Sequence, residues 1–162
     1  MKLKERDIIE RYGRELHEFV CRWVTCREDA EELVQDILVR ALRSLDTYDE
    51  RRATIRTWLW RIAWNEVKRY LARQDRRPRM VEMDEGMAVT AEEAEDSRLG
   101  VLEQAILKLD EQEQMLLQLR YTDGLSLQEI SYVTATKATT LAVRLQRIRE
   151  RLRSLVATMP YD

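Results

Sequence analysis

Residues 54–74 read Thr-Ile-Arg-Thr-Trp-Leu-Trp-Arg-Ile-Ala-Trp-Asn-Glu-Val-Lys-Arg-Tyr-Leu-Ala-Arg-Gln. Ile55, Trp58, Leu59, Ile62, Ala63, Val67, Tyr70 and Leu71 recur three and four apart, which predicts one helix with a continuous apolar stripe. Off that stripe, Trp60, Trp64 and Lys68 stand four apart, with Arg61, Asn65 and Arg69 beside them and Arg56 and Arg73 towards the two ends. Such a face suits unpaired nucleic acid: indoles stack on splayed bases at about 1–3 kcal/mol each, and cations follow the backbone. Tryptophans at helical spacing also fit a core. Trp58 is assigned to the core, whereas Trp60 and Trp64 fit either the core or the nucleic-acid face. Asn65 could read a base edge or solvate the helix.

The same periodicity extends through almost the whole chain, with no strand-length alternation and no internal repeat. Four Gly and two Pro in 162 residues leave little material for a turn-rich β fold. The expectation is an all-α protein of two small helical domains joined by a flexible acidic linker. Helices are predicted over about 4–24, 29–45 (with Leu33, Ile37, Ala41 and Leu45 inward) and 54–74, with a polar loop at 46–53. Pro78 ends this region, and 79–90 mixes acids, Met and Gly without a period. The domains are therefore drawn as 1–78 and 98–162, with 79–97 as linker.

Beyond it, Thr90 with Glu93, Asp110 with Glu113 and Ser126 with Glu129 all have capping-box spacing. The first opens a helix with Leu99, Leu102, Ile106 and Leu109 on one side; the second opens one that stops at Thr122-Asp123-Gly124. The third starts a short helix that ends near 134–136. A long last helix, about 137–157, carries Leu141, Leu145, Ile148, Leu152 and Leu155 inward, and Thr140, Arg144, Arg147 and Arg151 at like spacing on another face. A short capped helix, a turn and a longer helix with threonines before arginines have the layout of a helix-turn-helix. In that layout Lys137, Thr139, Thr140, Val143 and Arg144 meet base edges in duplex DNA, while Arg147, Arg149 and Arg151 reach phosphates. A plain helical hairpin with a solvated arginine face is the alternative.

Charge is segregated along the chain. Residues 28–50 carry eight acids against Arg40 and Arg43, and 51–79 carry ten bases against Glu66 and Asp75. Residues 81–113 carry eleven acids against Arg98 and Lys108, and 137–153 six bases against Glu150. The net charge of −2 hides this. Alternating blocks predict separate faces for separate partners, the basic ones matched to phosphate backbones.

Other classes of function find little support. There is no nucleophile with a base partner, no phosphate-cradling Gly loop and no ligand cluster, so no catalytic residue, cofactor, metal or small-molecule substrate is expected. Cys21 and Cys26 lie five apart on a helix, cannot readily bridge, and read as reduced core or boundary thiols; with His17 they lack a fourth metal ligand. No stretch approaches the roughly 20 apolar residues of a membrane span. The charged opening 1–11 adds to the expectation of a cytoplasmic protein without membrane insertion.

Ala30-Glu31-Glu32-Leu33-Val34-Gln35-Asp36 and Trp58-Leu59-Trp60-Arg61-Ile62-Ala63-Trp64-Asn65, in this order, resemble region 2 of the sigma-70 superfamily in its short extracytoplasmic function (ECF) form. Leu119-Arg120-Tyr121, Gly124-Leu125-Ser126 and Glu129-Ile130 are similar to its region 4. The resemblance implies that Glu31, Glu32, Gln35, Asp36 and Arg40 attach to core RNA polymerase, whose β′ and β subunits are the partners. It implies that Arg56, Trp60, Arg61, Trp64, Asn65, Lys68, Arg69 and Arg73 capture the minus-10 strand of promoter DNA. Lys137, Thr139, Thr140, Val143, Arg144, Arg147 and Arg151 would read the minus-35 duplex. An anti-sigma factor is a further implied partner. Leu38, Trp64, Asp110 and Gln114 depart from the usual residue types, as do Ala135, Thr139, Ala142 and Val143 in or beside the reading head. Two other readings stay open: a helix-turn-helix repressor or activator without polymerase attachment, and a helical adaptor without DNA function.

Overall fold

A computed structural model describes residues 5–74 and 97–159. Seven α-helices lie among them, and the chain divides into an N-terminal unit built on 1–79 and a C-terminal unit built chiefly from 80–131 and 136–162. The expected capping box at Thr90 and Glu93, and the expected linker apart from Ser97, lie outside the described residues.

In the N-terminal unit, α1 (Glu5–Trp23), α2 (Arg27–Arg43) and α3 (Ile55–Gln74) each pack on the other two. Glu5 and Asp7 in the first turn of α1 and Arg22 in its last complement the helix dipole. Ile8, Leu16, Phe19 and Val20 form its inward stripe, while Arg6–Glu10 (3.0 Å) and Arg14–Glu18 (3.6 Å) pair on the outside. Each such exposed pair adds only about 0.3–0.5 kcal/mol. Helix α2 buries Ala30, Leu33, Val34, Ile37 and Ala41. It ends earlier than its apolar period suggests, because Ser44 turns back on it: the backbone N–H and the hydroxyl of Ser44 both donate to the Arg40 carbonyl. Leu45 then sits half-buried in a 3-10 turn, Leu45–Thr47, rather than in the helix. Tyr48 closes the following loop by donating to the Ala53 carbonyl (2.9 Å) and resting its ring 5.3 Å from that of Trp58. Thr54 caps α3, its hydroxyl oxygen accepting the Thr57 N–H at 3.2 Å.

Helix α3 is buried on more than its expected stripe. Besides Ile55, Trp58, Leu59, Ala63 and Val67, it buries Thr57, Trp60, Trp64 and Glu66. A helix packed against both α1 and α2 needs two inward sides, and the aromatic residues beside the stripe supply the second.

The C-terminal unit comprises α4 (Ser97–Leu107), α5 (Glu111–Leu117), α6 (Leu127–Thr134) and α7 (Ala138–Thr158). Both expected capping boxes form here. Asp110 and Glu113 bond reciprocally (2.8 and 3.2 Å), and so do Ser126 and Glu129 (3.1 Å each). Helix α5 widens into a π turn at Gln118–Thr122 and stops where Gly124, at φ +71°, lets the Leu125 N–H reach the Leu119 carbonyl. The α4 stripe is a correction: Ala105 and Leu109 face inward, and Leu102 is exposed. Leu141, Leu145 and Ile148 of α7 are buried, and α7 packs on α4 and α5; Leu152 and Leu155 are only half-buried.

Candidate polymerase and promoter interfaces

On α2, the buried residues occupy one side, and Glu31, Glu32, Gln35 and Asp36 project together from the other, all exposed. Their spacing of one, three and one puts them on a single acidic face. Arg40 is exposed too, but its Nε lies 3.1 Å from Glu66 Oε1, so its charge is already matched within the unit.

Glu66 is the residue that sequence reasoning missed. It is only 7% exposed and holds two guanidiniums, that of Arg40 on α2 and that of Arg69 on α3 (3.3 Å). An uncompensated buried carboxylate would be costly, and two partners offset that cost. The one available signal was an acid set within a block of ten bases. Asp36, Arg40, Arg43, Asn65, Glu66 and Arg69 border one groove of 640 Å³ between α2 and α3. Residues expected to face polymerase and residues expected to face promoter thus share a rim.

The basic face of α3 is narrower than expected. Arg61, Asn65, Lys68, Arg69 and Arg73 are exposed along one stripe. Trp60 is fully buried, 6.0 Å from the Phe19 ring, and Trp64 is 7% exposed. Neither indole offers a free face, which corrects the expectation of a stacking platform: the core needs both to fill the space against the flanking helices. Arg56 is also corrected. Its Nε (3.1 Å) and Nη2 both donate to Glu15 Oε1, and its guanidinium lies 4.8 Å over the Trp60 ring, so it ties α3 to α1. Lys68 keeps its ammonium 5.8 Å from Trp64, an exposed charge on an aromatic base.

Cys21 and Cys26 are free and exposed, not core thiols: Cys21 falls outside the inward stripe of α1, and Cys26 lies beyond that helix, at the N-cap of α2. Cys21 Sγ lies 3.6 Å from the His17 ring nitrogens. Partial burial, and then the nearby Glu31 carboxylate, push its thiol above the ordinary range, so it stays protonated at neutral pH. No group of three candidate ligands able to hold a metal occurs among the described residues.

On α7 the residues expected to read duplex DNA are accessible to solvent. Lys137, Thr139, Val143, Arg144 and Arg147 are exposed and Thr140 is half-buried. The turn before it holds Ala135 at φ +56°, a left-handed conformation that favours glycine. Two further arginines are committed within the unit. Arg149 Nε donates to the Tyr121 hydroxyl at 2.7 Å, and Arg151 Nη1 donates to Glu113 Oε1 at 3.1 Å. The structure therefore corrects the placement of Arg151 among free phosphate contacts: α5 brings a carboxylate alongside it.

Residues 8–77 match the Sigma-70 region 2 family and residues 99–152 the Sigma-70, region 4 family. The ECF RNA polymerase sigma-E factor of Escherichia coli strain K12 is 32% identical over 162 residues, covering 88% of this chain and 81% of its own length. The factor of the same description from Haemophilus influenzae is 27% identical over 169 residues, covering 92% and 85%. Among solved structures, CnrH in complex with the cytosolic domain of CnrY aligns with a TM-score of 0.66 at 24% identity, over 96% of this chain and 89% of that one. The sigma factor RpoE in complex with the anti-sigma factor NepR, from Bartonella quintana, aligns with a TM-score of 0.66 at 19% identity, over 96% and 98%. At these identities the two structures establish a shared fold. Among the described residues no helix is long and apolar enough to cross a membrane. Two region matches in chain order and a relative at 32% identity place the chain in the ECF group of the sigma-70 family, the factors that direct transcription initiation with RNA polymerase.

Proposed function

We propose that the protein is a cytoplasmic, non-enzymatic factor that works by binding alone, with 1–78 engaging core polymerase and the minus-10 element, 79–97 as linker and 98–162 engaging the minus-35 element. Glu31, Glu32, Gln35 and Asp36 attach the factor to core enzyme, with Arg40 at the edge of that surface. Arg61, Asn65, Lys68, Arg69 and Arg73 hold the opened minus-10 strand. Lys137, Thr139, Thr140, Val143, Arg144 and Arg147 read the minus-35 duplex. An anti-sigma factor binds it and covers these surfaces; the similar fold of RpoE, known in complex with the anti-sigma factor NepR, supports this.

The observation that carries this reading is the segregation of charge by face: Glu31, Glu32 and Asp36 stand exposed on one side of α2, Arg61, Lys68, Arg69 and Arg73 on one side of α3, and Asp29, Glu32 and Asp36 share one groove with Arg73. No catalytic group is needed, because tethering several sites on one chain raises the effective concentration of each. Run-off transcription from a bacterial genomic fragment library, with core polymerase and the purified chain, tests the proposal. Discrete starts are expected, and Asp36→Arg should abolish them by blocking core capture while sparing binding of the isolated factor to duplex. Unaltered core affinity in that variant counts against the α2 surface. Duplex binding without any association with core would favour the repressor reading instead.

A further inference from the structure

Thr140, Arg144, Arg147 and Arg151 recur four, three and four residues apart, so they share the outward face of α7 that the reading head occupies. Arg144 and Arg147 make no ion pair among the described residues. Arg151, one to two turns further along the same stripe, is paired with Glu113, and both side chains are only partly exposed, at 52% and 23%. The Glu113 carboxylate is not free to swing away with its partner. The oxygen that accepts from Arg151 also accepts the Asp110 N–H at 3.2 Å, closing the α5 capping box. The neighbouring Arg149 is held differently, by the neutral Tyr121 hydroxyl and ring, so its charge is oriented without being cancelled.

We infer that Glu113 limits how many promoter phosphates α7 engages, by holding Arg151 in place of DNA. This rests on the minus-35 reading above and deepens it. A carboxylate fixed by backbone at the edge of the DNA-facing stripe does two things. It occupies one of three aligned guanidiniums, and it sets a negative charge where a phosphate would approach. Wild-type affinity for duplex is thereby kept low, so that stable promoter engagement draws on the other contacts of the factor as well.

The test is the salt dependence of duplex binding by the full chain, measured by fluorescence anisotropy on a short random-sequence DNA duplex. Each phosphate neutralised steepens the log–log slope by about 0.9. Glu113→Gln, which retains a capping oxygen, should steepen the slope by about 0.9 and tighten binding roughly fivefold at low salt. Arg151→Ala in the wild-type background should leave the slope unchanged, and combining it with Glu113→Gln should return the slope to the wild-type value. Arg147→Ala should flatten the slope by about 0.9, which establishes that α7 is the element being read. If Arg151→Ala flattens the slope as Arg147→Ala does, Arg151 already reaches phosphate and the inference falls. If Glu113→Gln leaves the slope alone while Arg147→Ala flattens it, the inference falls and the minus-35 reading stands. If the chain and all its variants ignore duplex, both fall together.

Discussion

Helices α3 and α7 carry similar cationic sequences and use them in different ways. Helix α3 lies against two neighbours and buries Trp60, Trp64 and Glu66 in addition to its main stripe, so one exposed strip of cations and Asn65 remains for a partner. Helix α7 buries a single stripe and leaves a broad outward face, part of which α5 and its π turn then occupy through Glu113 and Tyr121. In both cases the charges free for nucleic acid are fewer than the bases in the segment. In α3 burial removes the indoles while Arg56 pairs with Glu15 and Arg69 with Glu66; in α7 Arg151 pairs with Glu113 and Arg149 bonds to Tyr121.

The sharpest way to break this comparison is at Trp60. Trp60→Ala should cost about 3–5 kcal/mol in urea unfolding, whereas Arg61→Ala should stay within about 0.5 kcal/mol. A Trp60→Ala protein of wild-type stability with weakened single-strand binding would restore the stacking platform and undo the distinction. On α7 the effect should appear in recognition instead. Arg144→Ala should lose about 1–3 kcal/mol of discrimination between the best minus-35 duplex and a scrambled one, with thermal stability unchanged. The smallest effect sharpens the comparison at the turn. Ala135→Gly should raise stability by about 1 kcal/mol, because glycine adopts φ +56° without the Cβ penalty. A loss of stability there would show that the turn is not strained.

Much of this architecture was legible in the residues. The bounds of α3 and α7, the Asp110–Glu113 and Ser126–Glu129 boxes and the stop at Gly124 are local features, decided within one or two turns of chain. Glu31, Glu32, Gln35 and Asp36 were marked out by the family resemblance and the acidic block 28–50. The rest depends on partners far apart in sequence. Arg151 meets Glu113 across 38 residues, Arg149 meets Tyr121 across 28, and Arg56 meets Glu15 across 41. A helical period reveals one apolar side, and it does not say that a helix will be enclosed on a second, so Trp60 and Trp64 were open to either reading. Glu66 was hidden for the same reason: its burial and its two guanidiniums belong to the packing of α2 on α3.

The π turn at Gln118–Thr122 bears on how this protein could change its target. A residue gained or lost in a helix rotates all that follows by about 100° about its axis and moves it about 1.5 Å along. Excising one position from that wide loop of backbone would therefore re-aim α6, and the start of α7 behind it, without touching a single side chain proposed to meet DNA. On the proposed reading, the register of α7 against the minus-35 duplex is written partly in a five-residue irregularity outside the recognition helix.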